Sequence, residues 1–256
     1  TGVSYTVSAA CATGSIAVGT AFHQVRFGLT DSALAVCADS AMDTTSIAAW
    51  NRLGVLTKHP DPATASRPFD AQRSGLVMGE GAAGFVLETL EAAQARGARI
   101  LAEIIGYGTS SDAAHIVVPE VAGQVKAIRS ALKHAGLAPE EIDYVNAHGT
   151  ATKPADTAEA ASLIESLGDA GRKVPVSNTK AQLGHLMGAT AGVELVTTLL
   201  AMQQGEIPPC RNLDHPDPEC PLNFVRNEAL KRDVRVALKN SFAFGGTNSA
   251  LILKRW

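Results

Sequence analysis

Ser8-Ala-Ala-Cys-Ala-Thr-Gly-Ser15 opens a run, Ile16-Ala-Val-Gly-Thr-Ala-Phe-His-Gln-Val25, in which small and apolar residues fill almost every position. The pattern predicts a helix over Cys11 to Val25 with Ala, Gly, Val, Ile or Thr on nearly every face. A helix that is apolar all round has to be buried, and small residues let a neighbour approach closely. His185 to Met202 has the same character. A routine core helix would explain either stretch alone. What sets the pair apart is that each begins at a residue able to do chemistry, Cys11 in one and His185 in the other.

Outward from these helices, apolar runs alternate with helical patterns, as in an α/β protein whose strands are buried on both faces. The expected strands are Ala33 to Ala38, Gly84 to Glu88, Ile100 to Gly106, Tyr144 to His148, Val174 to Ser177, Val234 to Asn240 and Ala250 to Lys254. Thr89 to Arg96, Gln124 to His134 and Asp156 to Leu167 read as outer-layer amphipathic helices with charges on one side. Gly97 and Gly136 follow two of them as C-terminal stops. The Pro-rich stretch His59 to Pro68 reads as a surface loop.

The 256 residues are 46% hydrophobic and 18% charged, enough apolar material for a large core and too much for a disordered chain. With 22 Lys+Arg against 25 Asp+Glu the net charge is −3, which argues against a nucleic-acid partner. Glycines and prolines, 23 and 12 of them, help break the apolar stretches short of a membrane span. Thr1 to Ser8 lacks the basic start and apolar region of a secretory signal, so a cytoplasmic setting is expected. Four cysteines without a C-x-x-C pair form neither a disulfide framework nor a zinc site, and no metal is expected.

Four segments carry chemistry. Cys11 lies between the strand-like Val3 to Val7 and the first buried helix, where the positive end of the helix dipole would favour the thiolate. The competing reading, a buried cysteine acting as a small hydrophobe, fits Cys37 inside its strand. Asn146-Ala-His-Gly-Thr-Ala-Thr152 ends a strand at His148, with Gly149 allowing the turn. Ser177-Asn-Thr-Lys-Ala-Gln-Leu-Gly-His-Leu-Met-Gly188 brings Lys180 and His185 before the second buried helix. Asn240-Ser-Phe-Ala-Phe-Gly-Gly-Thr-Asn248 contains Gly245 and Gly246, whose backbone freedom can aim N–H groups at a substrate.

Together with Arg67-Pro-Phe-Asp-x-x-Arg-x-Gly75 and Gly79-Glu-Gly-Ala82, these segments resemble the β-ketoacyl-acyl carrier protein synthases, and most closely the elongating Cys-His-His branch. The resemblance implies a thiolase-like fold, five layers α-β-α-β-α with two buried central helices, and weak internal duplication marked by the twinned starts at Cys11 and His185. It implies that Cys11 accepts the acyl group, that His148 and His185 polarise a malonyl thioester, and that Lys180 organises the histidine pair. Phe244 is similar to a gating phenylalanine whose N–H joins that of Cys11 in an oxyanion hole. Thr150 and Thr152 resemble phosphopantetheine-holding threonines, and Glu194 a buried structural glutamate. Initiating relatives have Asn in place of His185, and degradative thiolases use a second active-site cysteine, a role that fits neither Cys210 nor Cys220.

The family carries a long segment before the nucleophile, whereas ten residues precede Cys11 here. The first half-domain is therefore expected to be incomplete, with residues 1–88 as its remainder and residues 89–256 as the C-terminal half. Cys37-Ala-Asp-Ser40 also departs from a usual Gly-Gly pair and could alter packing beside the nucleophile helix. The expected activity is decarboxylative condensation of an acyl group on Cys11 with malonyl-acyl carrier protein. No cofactor is expected beyond the carrier's phosphopantetheine arm. The expected partners are the carrier protein, met by Arg52 and Lys58 on position alone, and a second copy or another chain supplying the missing segment. The alternative is a non-catalytic or incomplete chain acting as a binding or dimerisation partner.

Overall fold

The computed structural model describes residues 2–256, and in it the two small-residue stretches become adjacent helices. In chain order the helices are α1 (Thr13–Arg26), α2 (Thr44–Arg52), α3 (Leu90–Ala95), α4 (Val121–Ala135), α5 (Lys153–Leu167), α6 (Asp169–Lys173), α7 (Lys180–Leu183) and α8 (Thr190–Gln204). The longer strands are β1 (Ser32–Asp39), β2 (Gly81–Glu88), β3 (Ala102–Ser111), β4 (Tyr144–Asn146), β5 (Pro175–Ser177), β9 (Val236–Ala243) and β10 (Thr247–Arg255). Three two-residue strands, β6 (Glu206–Ile207), β7 (Asn223–Phe224) and β8 (Leu230–Lys231), escaped the sequence reading because they are too short to show a period.

α1 and α8 touch where both lack side chains. A Cβ on Gly14 would stand 2.8 Å from the backbone nitrogen of Gly192, and one on Gly192 would stand 2.7 Å from Cys37 Cβ. An alanine at either glycine would overpack this crossing at a cost of about 1–3 kcal/mol. The helix pair lies between two sheets. One is the antiparallel pair β1-β2; the other is six-stranded, in the order β3-β10-β9-β4-β5-β7, antiparallel from β3 to β9 and parallel from β9 to β7. α4 packs on the far side of the larger sheet beside α5. This gives the sequence β-α-β-α of a thiolase-like stack, in which the layer outside β1-β2 is the one not represented. No helix among the described residues is long and apolar enough to cross a membrane.

The burial patterns follow from these layers. β9 and β10 are buried along almost their whole length, being covered on both faces. β1 alternates instead: Ala35 and Cys37 face α1 and α8, while Leu34 and Val36 are 70% and 59% exposed. Val86 on β2, paired with Leu34, is 64% exposed.

All seven expected strands form, with ends shifted by a few residues. Four expectations are corrected. Val3 to Val7 is irregular and largely exposed rather than a strand, because no neighbour offers it a ladder. The second buried helix begins at Thr190, not His185: Gly184 has φ +76°, and His185 N–H donates to Val77 O at 2.7 Å, which holds the histidine in an extended bridge. Within the presumed surface loop, His59 to Ala63 is mostly exposed but Ala65 to Pro68 is buried, since Arg67 pairs inward with Asp70 at 3.3 Å. α5 carries charge inward, with Asp156 and Glu159 both buried.

The helix starts do show a twin, though a different one from the expected pair. Ala10, at φ +45°, begins a 3₁₀ turn over Ala10–Ala12 that leads into α1; Met187, at φ +48°, begins a 3₁₀ turn over Met187–Ala189 that leads into α8. Cys11 therefore corresponds to Gly188 rather than to His185.

Exposed apolar patches drive association. The chain by itself is expected to bind a hydrophobic dye strongly through the outer face of β1-β2, and Leu34→Thr/Val36→Thr/Val86→Thr to cut the fluorescence at least about twofold. An unchanged signal would place the exposed apolar surface elsewhere.

Candidate active site

Two histidines and a cysteine converge below the ends of four elements. The 3₁₀ turn before α1 places Cys11 Sγ 3.1 Å from His185 Nε2, and His185 Nδ1 lies 2.7 Å from Thr190 Oγ1 at the start of α8. The His148 ring stands edge-on to that of His185, with centroids 5.6 Å apart at 85°. Its Nδ1 has no protein hydrogen-bond partner. The backbone N–H groups of Phe244 and of Cys11 itself both act on the sulfur.

His148 is held by its backbone. Its N–H and that of Gly149 donate to the two oxygens of Glu159, each at 2.7 Å, and Thr150 N–H donates to Asp156 Oδ1 at 2.9 Å. Asn178 Nδ2 donates to the carbonyls of Ala147, His148 and Gly149 at 2.9–3.1 Å. Gly149 is required here: its φ is +40°, and a Cβ would meet the Phe69 ring at 2.6 Å and Asn178 Nδ2 at 2.7 Å. Lys180, also buried, donates through Nζ to His148 O and to Glu194 Oε1, the latter at 2.7 Å. Asp156 in turn accepts from Phe69 N–H at 2.7 Å and pairs with the buried Arg73 at 3.4 Å.

Burial sets the protonation states. It pushes the Cys11 thiol up to about 11, only partly opposed by Lys180 and the two N–H groups. The thiolate expected from a helix terminus is thus corrected: the resting sulfur is a thiol, because desolvation outweighs the dipole. His148 and His185 are held well below the ordinary imidazole range, first by burial and then by the Lys180 charge, so both rings are neutral at pH 7. Burial also lifts Glu159, and carries Asp156 to about 7.

Cys11, His148 and His185 line a cavity of about 160 Å³ together with Thr150, Thr152 and Phe244. The two threonine hydroxyls bond each other at 2.8 Å. Phe244 precedes the Gly245-Gly246 turn, whose φ values are +82° and +72°, and its ring stacks on Trp50 at 5.8 Å and 27°. A larger, shallow groove of about 400 Å³ along α4 is lined by Lys126, Arg129 and Lys133 and holds none of the groups above.

Comparison with known proteins gives the same motifs a family. The N-terminal domain model of β-ketoacyl synthases matches residues 1–93, and the C-terminal domain model matches residues 101–214. The chain belongs to the β-ketoacyl synthase family. It is 45% identical to a 3-oxoacyl-[acyl-carrier-protein] synthase 2 of Rhizobium meliloti, over 100% of this chain and 61% of the relative. The corresponding synthase of Synechocystis is 43% identical over 96% of this chain and 60% of the relative. Among solved structures, the ishigamide ketosynthase/chain length factor superposes with a TM-score of 0.92 at 44% identity, covering 98% of this chain and 60% of that one. A type II PKS acyl-carrier protein in complex with its ketosynthase gives 0.92 at 30% identity, covering 98% and 62%. The chain thus spans about 60% of the length of the curated relatives it matches.

Of the residues singled out from sequence, Cys11, His148, His185, Thr150, Thr152 and Phe244 line this cavity, and Lys180 lies behind it, joining Glu194 to the His148 carbonyl. Arg52 and Lys58 are exposed, with Arg52 closing α2 two residues beyond Trp50. Cys37, Cys210 and Cys220 are buried and free. Sequence reading missed Thr190, Asn178, Asp156, Glu159 and Lys239. Only the acidic pair had a signal, an Asp-x-x-Glu spacing on an otherwise Ala- and Ser-rich helix immediately after the histidine segment.

A thiol raised to about 11 reacts only through its thiolate fraction. Alkylation of Cys11 by iodoacetamide, followed by peptide mass spectrometry, should climb about tenfold per pH unit from pH 7 to pH 9. A plateau below pH 8 would contradict this.

Proposed function

We propose that the protein containing this chain is a 3-oxoacyl-acyl carrier protein synthase of the elongating type. It would join an acyl group held on Cys11 to malonyl-acyl carrier protein, with loss of carbon dioxide. The observation that carries this reading is the approach of Cys11 Sγ to His185 Nε2 at 3.1 Å, with a second neutral imidazole, His148, on the same cavity.

The chemistry has two halves. In the first, the Cys11 sulfur attacks an acyl thioester, the carrier thiol leaves, and the proton released by Cys11 ends on that thiol. The tetrahedral oxyanion formed in between would accept from the N–H groups of Cys11 and Phe244, donors fixed before the reaction starts. In the second, malonyl thioester loses carbon dioxide, and the enolate oxygen takes hydrogen bonds from His148 and His185. The enolate carbon attacks the acyl carbon and the C–S bond to Cys11 breaks, regenerating the sulfur as thiolate and then thiol.

Neutral rings suit the second half, since each offers one N–H and carries no charge to be moved. Thr190 lets His185 serve both halves: its hydroxyl accepts when Nε2 must receive the Cys11 proton, and donates when Nε2 must present an N–H. A dry cavity protects the carbanion from quenching. No cofactor is required by this scheme. The acyl carrier protein is the proposed partner, and a second copy of the complete protein or another chain is a further one.

The reading is tested in the complete gene product by following Cys11 acylation as a mass shift and carbon dioxide release separately. Cys11→Ala should abolish acylation and condensation while leaving decarboxylation of malonyl-acyl carrier protein. His148→Ala should still acylate but lose decarboxylation by about 100-fold, the scale of one oxyanion contact. A parent protein that takes up no acyl group at Cys11 would favour the non-catalytic partner instead.

Carrier docking gives a further expectation. Charge reversal at the exposed Arg52 and Lys58 should raise KM for carrier-bound substrate by roughly tenfold and spare small thioester analogues. Equal effects on both substrates would remove these residues from the docking surface.

A further inference from the structure

Lys239 is a buried cation that the chemistry above does not use. It sits inside β9, between β10 and β4, with no exposed surface. Its ammonium forms an ion pair with Glu194 Oε2 at 2.9 Å and donates to Ser241 Oγ at 3.3 Å and to the Asn240 carbonyl. Lys180 takes the other oxygen of the same carboxylate, Oε1, at 2.7 Å. Three residues from α7, α8 and β9 thus form a buried Lys-Glu-Lys line with two positive charges and one negative. Burying an ammonium is costly, and Lys180 alone already balances Glu194, so charge pairing does not account for Lys239.

We propose that Lys239 is a positioning residue for the condensation: it clamps the second oxygen of Glu194, and its surplus positive charge keeps His148 and His185 in the uncharged, proton-donating form. The proposal rests on the functional reading above.

The groups surrounding the two rings come from every element packed there. They are Cys11 from the turn before α1, Asp39 at the end of β1, Asp156 and Glu159 on α5, Lys180 on α7, Glu194 on α8 and Lys239 on β9. Asp156 is engaged by Arg73 and two backbone N–H groups. Both Glu159 oxygens are taken by the N–H groups of His148 and Gly149, and burial disfavours its charge. Asp39 accepts from Gly188 N–H at 2.9 Å. The charged side chains that act on both rings are Lys180 and Lys239, and each acts in the same direction as burial. A neighbouring cation disfavours the imidazolium, so removing it must raise the pH at which each ring takes a proton.

The test uses the complete gene product, with histidine-selective NMR titration of the imidazole C–H groups. Malonyl-acyl carrier protein decarboxylation is measured against pH alongside. In Lys239→Met the His148 and His185 midpoints should rise by about one pH unit, and the acid limb of decarboxylation should move with them. Lys239→Gln, which retains a donor for Glu194 and loses the charge, should show the same shift. Lys239→Met combined with Glu194→Gln removes one charge of each sign and should return the midpoints towards the parent. Midpoints unchanged in a folded Lys239→Met or Lys239→Gln protein would overturn the proposal. So would a Lys239→Gln protein that titrates like the parent while Lys239→Met does not, since a hydrogen bond alone would then suffice. A parent that fails to decarboxylate would overturn the functional reading instead, and the NMR midpoints would still decide the role of Lys239.

Discussion

The contact between Gly14 and Gly192 sets the distance on which the rest of the molecule depends. α1 and α8 cross there with backbone against backbone, leaving 2.8 Å for an added Cβ. That closeness draws the turns preceding both helices together between two sheets. Cys11 hangs from one turn, and His185 lies in the segment leading into the other, so a sulfur and an imidazole that are 174 residues apart meet at 3.1 Å. The remaining site elements, the ends of β4 and β9 and the glycine turn before β10, belong to the sheet on which this helix pair rests. Packing of small residues therefore does the first part of the positioning, before any polar contact is made.

The second part is electrostatic and costly. Arg73 from the first half of the chain and Asp156, Glu159, Lys180, Glu194 and Lys239 from the second are all buried. Ion pairs of this kind seldom add net stability, because desolvation offsets their attraction. Their return lies in orientation. Glu159 and Asp156 turn successive N–H groups of the His148 segment inward, and Asn178 gathers three consecutive carbonyls. A loop without regular structure is thereby held as firmly as a strand, with its imidazole free to meet a ligand.

The fold was readable where composition and position agree. Ala, Gly and Val on every face announced α1 and α8, and Val- and Ile-rich runs announced the long strands. The site was readable where a chemical residue stood beside glycine, as at His148, His185 and Phe244. What escaped depended on tertiary contact. Nothing local tells whether Lys239, in a strand pattern, faces water or Glu194. The inward turn of Asp156 and Glu159 follows from unsatisfied backbone groups several residues upstream in the histidine segment. The thiolate expected at Cys11 failed for a related reason: a helix dipole is a property of the sequence neighbourhood, whereas desolvation depends on everything packed around the sulfur.

The paired turns at Ala10 and Met187 show how a near-symmetric backbone acquires a sense of direction. Both bend through a left-handed residue into one 3₁₀ turn and then a buried helix, yet one presents sulfur and the other, at Gly188, only hydrogen. A side chain at Gly188 would begin 3.1 Å from Asp39 Oδ2, a carboxylate unwelcoming to a second thiolate. Of two equivalent stations, only one can hold cargo. Asp39, which also takes the Gly188 N–H, keeps the second station empty, so a repeated scaffold becomes specialised through what one copy lacks.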